Sequence, residues 1–276
     1  MSLTRLCSSL RRVALTLLPL GLAVCFHVSA RADIRDVMKS ADIDAALARS
    51  KPGEHSLHTQ SNFSVLAGVR EGKATAAEIH KDGGTFMHIR KGSGTFVVSG
   101  RKHEIARGDL LHVPRNTSYQ IDTAGGRIEY LAIRVFGDNP ARAAAAKSSR
   151  QIPDVLKANV IDATFAYNST NQPIGSTPAY STNFVIYAGR TPPFEIHEQC
   201  VDIAVVRAGS GDIQVGGTIV DAKEETPGEI RGTGVKGSRD QEIAVGDIVV
   251  LPRGVAHHQQ PHMPRLGYIL LKVWTE

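Results

Sequence analysis

The chain has 276 residues, of which 42% are hydrophobic and 21% charged, and a formal charge of +5 at pH 7. Residues 1–32 hold four arginines and no Asp, Glu or Lys, so the formal charge of the remainder falls to +1, which leaves no nucleic-acid footprint. Cys7 and Cys25 lie in that same segment, so removing it leaves Cys200 alone and excludes an internal disulfide.

In chain order, Arg5, Arg11 and Arg12 precede an apolar stretch from Val13 to Phe26, and small residues come next around Ala30-Arg31-Ala32. A charged start, an apolar middle and a small-residue end make a secretory signal over 1–32. The apolar run is about 14 residues, short of the roughly 20 that span a bilayer as a helix, so no stable membrane anchor is expected. The mature chain is therefore expected in the periplasm or outside the cell.

Beyond residue 32 the chain repeats itself. VMKSADIDAAL (37–47) parallels VLKANVIDATF (155–165), NFSVLAGVR (62–70) parallels NFVIYAGR (183–190), and EIHKD (78–82) parallels EIHEQ (195–199). RKGSG (90–94) parallels RAGSG (207–211), and GDLLHVPRNTSY (108–119) parallels GDIVVLPRGVAH (246–257). Five blocks in one order mark a tandem duplication, with domains expected at 33–150 and 151–276. The offset between copies is 117 residues at EIH and at GSG but 138 at GD, so the second copy carries 21 extra residues within 217–241. Each copy opens with a short helical pattern, near Ile34–Ala48 and Pro153–Ala163, and Ala141–Ala146 suits a linker or helix between them. The rest is short strand-like runs broken by Gly and Pro, such as FVVSG, EIAVGDIVVLP and LGYILLKVW, which predicts an all-β barrel or sandwich in each copy.

Side chains alternate along a strand, so Glu195, His197 and Gln199 are expected on one face. Pro252 and Gly254 bend the chain after Ile248–Leu251 so that His257 returns to the same space. The parity of Asp202 cannot be read across the intervening bend. His88 falls on the opposite face from Thr85 and is expected outside or between the copies. His258 is expected to face outward with His262, and Cys200 away from the cavity.

These motifs resemble those of the cupin superfamily, G-x5-H-x-H-x3,4-E-x6-G and G-x5-P-x-G-x2-H. The second copy matches their spacing at Gly189, Glu195, His197, Asp202, Gly209, Gly246, Pro252, Gly254 and His257. The resemblance implies a bicupin: two tandem jelly-roll β-barrels with a short helix leading each copy, and pairing into a homodimer. By position it implies Glu195, His197, Asp202 and His257 as metal ligands, with Glu in place of the first His and Asp in place of Glu. Two imidazoles and two carboxylates suit a divalent ion such as iron, manganese, zinc or nickel. Glu195 is also a candidate general base, and Gln199 a further lining residue. In the first copy Glu78 and His80 remain while the other positions become Thr85 and Tyr119, poor ligands; with Asp82 nearby, this set is expected to line a metal-free pocket. The long insertion is read either as a flap bringing Glu229 and Arg231 to the second pocket or as a surface hairpin extending the barrel edge. The leading functional reading is a metal-dependent isomerase, lyase or dioxygenase acting on a small organic molecule. The alternatives are a binding protein without turnover and a structural assembly role.

Overall fold

The structure, a computed structural model, describes residues 37–74, 76–142, 150–167 and 171–274. The secretory signal expected at 1–32 and most of the linker expected at 141–146 lie outside the described residues. The first half comprises β1 (Val37–Met38), α1 (Ser40–Arg49), β2 (Gly53–Thr59), β3 (Phe63–Glu71), β4 (Glu78–Ile79), β5 (Gly83–Lys91), β6 (Ser93–Val98), β7 (Arg101–Ala106), β8 (Leu110–Val113), β9 (Ser118–Asp122) and β10 (Arg127–Phe136). The second comprises β11 (Val155–Leu156), α2 (Ala158–Tyr167), β12 (Asn171–Ser176), β13 (Tyr180–Tyr187), β14 (Phe194–His197), β15 (Cys200–Val215), β16 (Thr218–Val220), β17 (Lys223–Thr226), β18 (Glu229–Gly232), β19 (Gly234–Lys236), β20 (Arg239–Ala244), β21 (Ile248–Leu251) and β22 (His257–Trp274). Both helices start later than the sequence pattern suggests, because a short strand precedes each.

Those short strands cross between the halves. β1 pairs with β21 of the second half, Val37 opposite Val249, while β11 pairs with β8 of the first, Val155 opposite Leu111. The Gly-Asp turns complete the exchange. Buried Asp247 accepts hydrogen bonds from Lys39 Nζ (2.9 Å) and from the Ser40 N–H (2.7 Å) that opens α1. Buried Asp109 does the same for Lys157 (2.5 Å) and for Ala158 (2.8 Å), which opens α2. Each helix is thus capped by a carboxylate of the other half, where its unpaired N–H groups favour negative charge. Arg90 donates to the carbonyl of Gly246 (3.0 Å) and Arg207 to that of Gly108 (2.8 Å). Both glycines take φ near +90°, a backbone conformation that opposes a side chain.

Alternation along the long strands divides the core. In β10, Ile128, Tyr130 and Ala132 join Met87, Ile89, Phe96 and Leu111 inside the first half. In β22, Leu266, Tyr268 and Leu270 join Val206, Ile213 and Val249 inside the second. The opposite faces, Leu131, Ile133 and Val135 with Ile269, Leu271 and Val273, meet in a third cluster shared by both halves. Burial on both faces explains why these strands read as continuous apolar runs.

The pairing register corrects one of the sequence parallels. Tyr130 lies opposite Gly68 and Tyr268 opposite Val185, so β3 matches β13 at the constant offset of 117. NFSVLAGVR and NFVIYAGR therefore align four residues out of step. The insertion is also located by register: Val98 pairs with Arg101, and Val215 pairs with Arg239 at the same point of the second half. A two-residue turn, Ser99-Gly100, is replaced there by residues 216–238.

Two imidazoles, half-buried His88 and buried His112, join the halves. His88 Nε2 lies 3.0 Å from Arg207 Nη1, so this histidine lies between the halves, one of the two places its parity allows, and His112 Nε2 lies 2.8 Å from the Tyr180 hydroxyl. Burial, reinforced by Arg207, Arg90 and Arg107, pushes His88 down to about 3, and burial pushes His112 down to about 4. A depressed histidine pKa gives stability that is complete above about 6.5 and is lost as pH falls toward the folded value. Denaturant unfolding between pH 7 and pH 4 should show this loss, about 3 kcal/mol per histidine. His112→Gln should lower the slope of stability against pH; an unchanged slope would remove His112 from the account.

Candidate metal centre

In the second half β14 and β22 run antiparallel with Glu195 opposite His257. Two residues along β14, His197 projects to the same side. One donor atom each from Glu195, His197 and His257 lies within 4.8 Å of the others, a cluster able to hold a metal ion. Glu195 Oε1 is 3.7 Å from His197 Nε2 and 3.6 Å from His257 Nε2, too far for strong hydrogen bonds. His257 Nδ1 lies 3.1 Å from the Val255 carbonyl, which can only accept, so the ring proton is fixed on that nitrogen. Its buried Nε2 makes no hydrogen bond within the described residues, and the Glu195 carboxylate faces it at 3.6 Å. A buried nitrogen without a close hydrogen bond, facing a carboxylate and a second imidazole, fits a cation.

Asp202, the fourth expected ligand, lies beside this cluster and is paired with Lys272. Its two oxygens lie 3.1 and 3.2 Å from Lys272 Nζ, and Oδ2 is 3.4 Å from His197 Nε2. Burial alone would raise the Asp202 pKa, but Lys272 and His197 outweigh it and hold the carboxyl far below its usual range. Asp202 therefore borders the three-residue cluster as half of a buried ion pair. Glu195 is likewise lowered against its burial, by His257, His197 and Lys272. Burial opposes protonation of His197, yet Asp202 and Glu229 raise it to about 9.

The insertion forms strands that extend the sheet edge, as the hairpin reading expects, and it brings Glu229 and Arg231 beside the cluster. β18 pairs with β14, setting Arg231 opposite Glu195 and Glu229 opposite His197, while β17 extends the sheet edge beyond it. Glu229 Oε2 lies 2.7 Å from His197 Nδ1, and Arg231 Nε lies 3.8 Å from Glu195 Oε2. Gln199 is exposed in a bend past the end of β14, and its amide donates to the Pro227 carbonyl at 3.1 Å. The strand ends at His197, so alternation no longer carries Gln199 inward. His258 is buried and stacks on Phe194 at 3.9 Å, contrary to the outward position expected. Cys200 shares the face of Asp202, its Sγ 3.6 Å from Oδ1, and so does not point away from the site. Burial first, then the Asp202 charge, raises its thiol far above the ordinary range, so it is inert.

The matching place in the first half is filled by cations of the chain itself. Arg70 Nη2 donates to both oxygens of Glu78 (2.8 and 3.0 Å), and the Tyr119 hydroxyl donates to Glu78 (2.8 Å) and sits 3.0 Å from His80 Nε2. His80 Nδ1 is 2.7 Å from Thr85 Oγ1, and Arg134 Nη2 donates to His80 Nε2 (2.8 Å) and to Glu54 (2.6 Å). Glu78, His80, Thr85 and Tyr119 thus come together, but around guanidinium groups. Asp82 does not join them; it is exposed in the bend before β5. Sequence reasoning passed over Arg70, Arg134, Glu54 and Lys272. Arg134 and Lys272 each continue a row of inward-facing residues at every second position, after Tyr130 and Ala132 and after Tyr268 and Leu270. A charge continuing an inward-facing alternation was the available signal.

No family model matches the chain, and no curated protein is similar to it in sequence. Solved structures are similar in fold. A cupin 2 conserved barrel domain protein from Leptotrichia buccalis superposes with a TM-score of 0.60 at 13% identity, covering 88% of this chain and 98% of its own. A salicylate 1,2-dioxygenase from Pseudaminobacter salicylatoxidans gives 0.64 at 13% identity, covering 92% and 87%. The same enzyme, as adducts with gentisate, gives 0.60 over 86% and 80%. At such identity the likeness speaks to fold alone. The chain is an all-β protein with the cupin jelly-roll fold.

Proposed function

We propose that this chain is an exported bicupin whose second half binds one divalent ion through Glu195, His197 and His257 and acts on a small organic molecule. The observation that carries the reading is the buried Nε2 of His257, which makes no hydrogen bond and lies in one cluster with donor atoms of Glu195 and His197. When bound, a divalent ion supplies Lewis acidity toward a substrate oxygen, or a site for oxygen chemistry if the metal is iron. The chain's own part is electrostatic. Glu195 is kept ionised and offers an oxygen as ligand or as proton acceptor, while the Asp202–Lys272 pair beside it is internally neutral. In the first half the same region carries its own Arg70 and Arg134, which supports a single metal per chain.

Isomerase, lyase and dioxygenase chemistry all suit this arrangement. The fold shared with a salicylate 1,2-dioxygenase supports the last, though a fold by itself does not select a reaction. Export rests on the sequence of residues 1–32, and homodimer formation on the resemblance to cupins. Among the described residues no helix is long and apolar enough to cross a membrane.

Loading the purified chain in turn with iron, manganese, zinc and nickel, then desalting, should leave about one ion per chain for at least one metal, as expected of a single site with three protein ligands. The loaded chain should then consume a member of a panel of aromatic and hydroxy acids. Retention of none of the four metals would overturn the proposal, and retention without any turnover would reduce it to a binding protein.

A further inference from the structure

The 21 residues that only the second half carries are placed where they touch the candidate centre and nothing comparable in the first half. They replace the Ser99-Gly100 turn, and β18 within them forms a new edge on β14, the strand that bears Glu195 and His197. Among the described residues, β4, the counterpart of β14, is paired with β9 alone. The register puts Glu229 opposite His197 and closes a 2.7 Å contact to its Nδ1. We infer that Glu229 is a positioning residue for metal: by accepting a hydrogen bond from Nδ1–H of His197 it leaves Nε2, which faces Glu195 and His257, as the nitrogen that can bind an ion, and the insertion is what makes this half competent to hold a cation. This role rests on the proposed metal at Glu195, His197 and His257.

The first half of the same chain supports it by contrast. An imidazole can give an ion only one nitrogen, and the partner of the other decides which tautomer it presents. His80 occupies the corresponding position, but its Nδ1 meets the Thr85 hydroxyl, which accepts or donates equally well, and its Nε2 is already occupied by Arg134. His197 instead has a carboxylate, a pure acceptor when ionised, at Nδ1. A carboxylate–histidine arrangement of this kind both orients the ring and increases its basicity.

The test is zinc binding to the full chain, measured calorimetrically. Glu229→Gln keeps the shape of the side chain, which is 32% exposed, and unfolding of the metal-free chain records its separate cost in stability. It should weaken zinc roughly 10- to 100-fold, the usual cost of losing such a partner. Glu225→Gln removes a neighbouring charge from the same insertion, one bonded to Arg231, and should leave zinc affinity unchanged. In nitrogen-15 spectra of the zinc-loaded chain, His197 should carry its proton on Nδ1, a readout that general stability does not move. Equal zinc affinity in the unsubstituted and Glu229→Gln chains overturns this inference alone, as does equal weakening by Glu225→Gln. No zinc uptake by the unsubstituted chain overturns the inference together with the metal reading.

Discussion

His257→Ala should lose metal altogether under conditions where the unsubstituted chain keeps one ion. The loss should exceed the roughly 10- to 100-fold that comes from removing a residue behind a ligand. His257 contributes a nitrogen that is held toward the centre: Nδ1 is tied to the Val255 carbonyl, and Nε2 makes no hydrogen bond among the described residues. Its replacement leaves only Glu195 and His197 from the cluster, too few protein ligands for a tight divalent site. The metal-free chain should tolerate the change well. A buried acceptor without a partner costs on the order of 1–3 kcal/mol, so deleting it offsets much of the cavity left behind. The comparison variant is His80→Ala in the first half, which should leave metal content unchanged. Metal analysis of the two variants, with denaturant unfolding of both without metal, checks the asymmetry. Retained metal in His257→Ala, or lost metal in His80→Ala, would show that the ion belongs elsewhere.

Much of this centre could be read from spacing because it lies on strands. Glu195 and His197 share a face by simple alternation, and the run Ile248–Leu251, with Pro252 and Gly254 after it, returns His257 to them. The parity that set His88 apart from Thr85 allowed it a place between the halves, and Arg207 meets it there. The readings that failed did so where a strand stops or where both of its faces are buried. β14 ends at His197, so Gln199 turns out toward Pro227. His258 faces away from His257 as expected, but that face is covered by Phe194, so it is buried. The exchange of β1 and β11 between halves is invisible to any local pattern, because two-residue strands have no periodicity. The same holds for the carboxylates of Asp109 and Asp247, whose Gly-Asp context suggests only a turn. Their partners, Ala158 and Ser40, lie 49 and 207 residues away in sequence.

Lys272→Met should destabilise the metal-free chain by about 3–5 kcal/mol, the usual cost of stripping one partner from a buried ion pair. Asp202 is 4% exposed and has both oxygens within 3.2 Å of the Lys272 ammonium. Without that cation the carboxylate must stay charged in a poor solvent or take up a proton. The double variant Asp202→Asn with Lys272→Met removes both charges and should recover most of the loss, since a buried pair replaced as a whole costs little. The same substitution distinguishes two roles for Asp202. If Lys272 is what withholds Asp202 from the ion, Lys272→Met should bind zinc more tightly, because Asp202 Oδ2 already lies 3.4 Å from His197 Nε2 and gains freedom to coordinate. Stability without metal then falls while zinc affinity rises, and zinc restores part of the lost stability by binding only the folded chain. Unfolding curves with and without zinc measure both quantities on one sample. A variant that loses stability and zinc affinity together would instead make the lysine part of what holds the site open, with Asp202 outside the coordination sphere in every state.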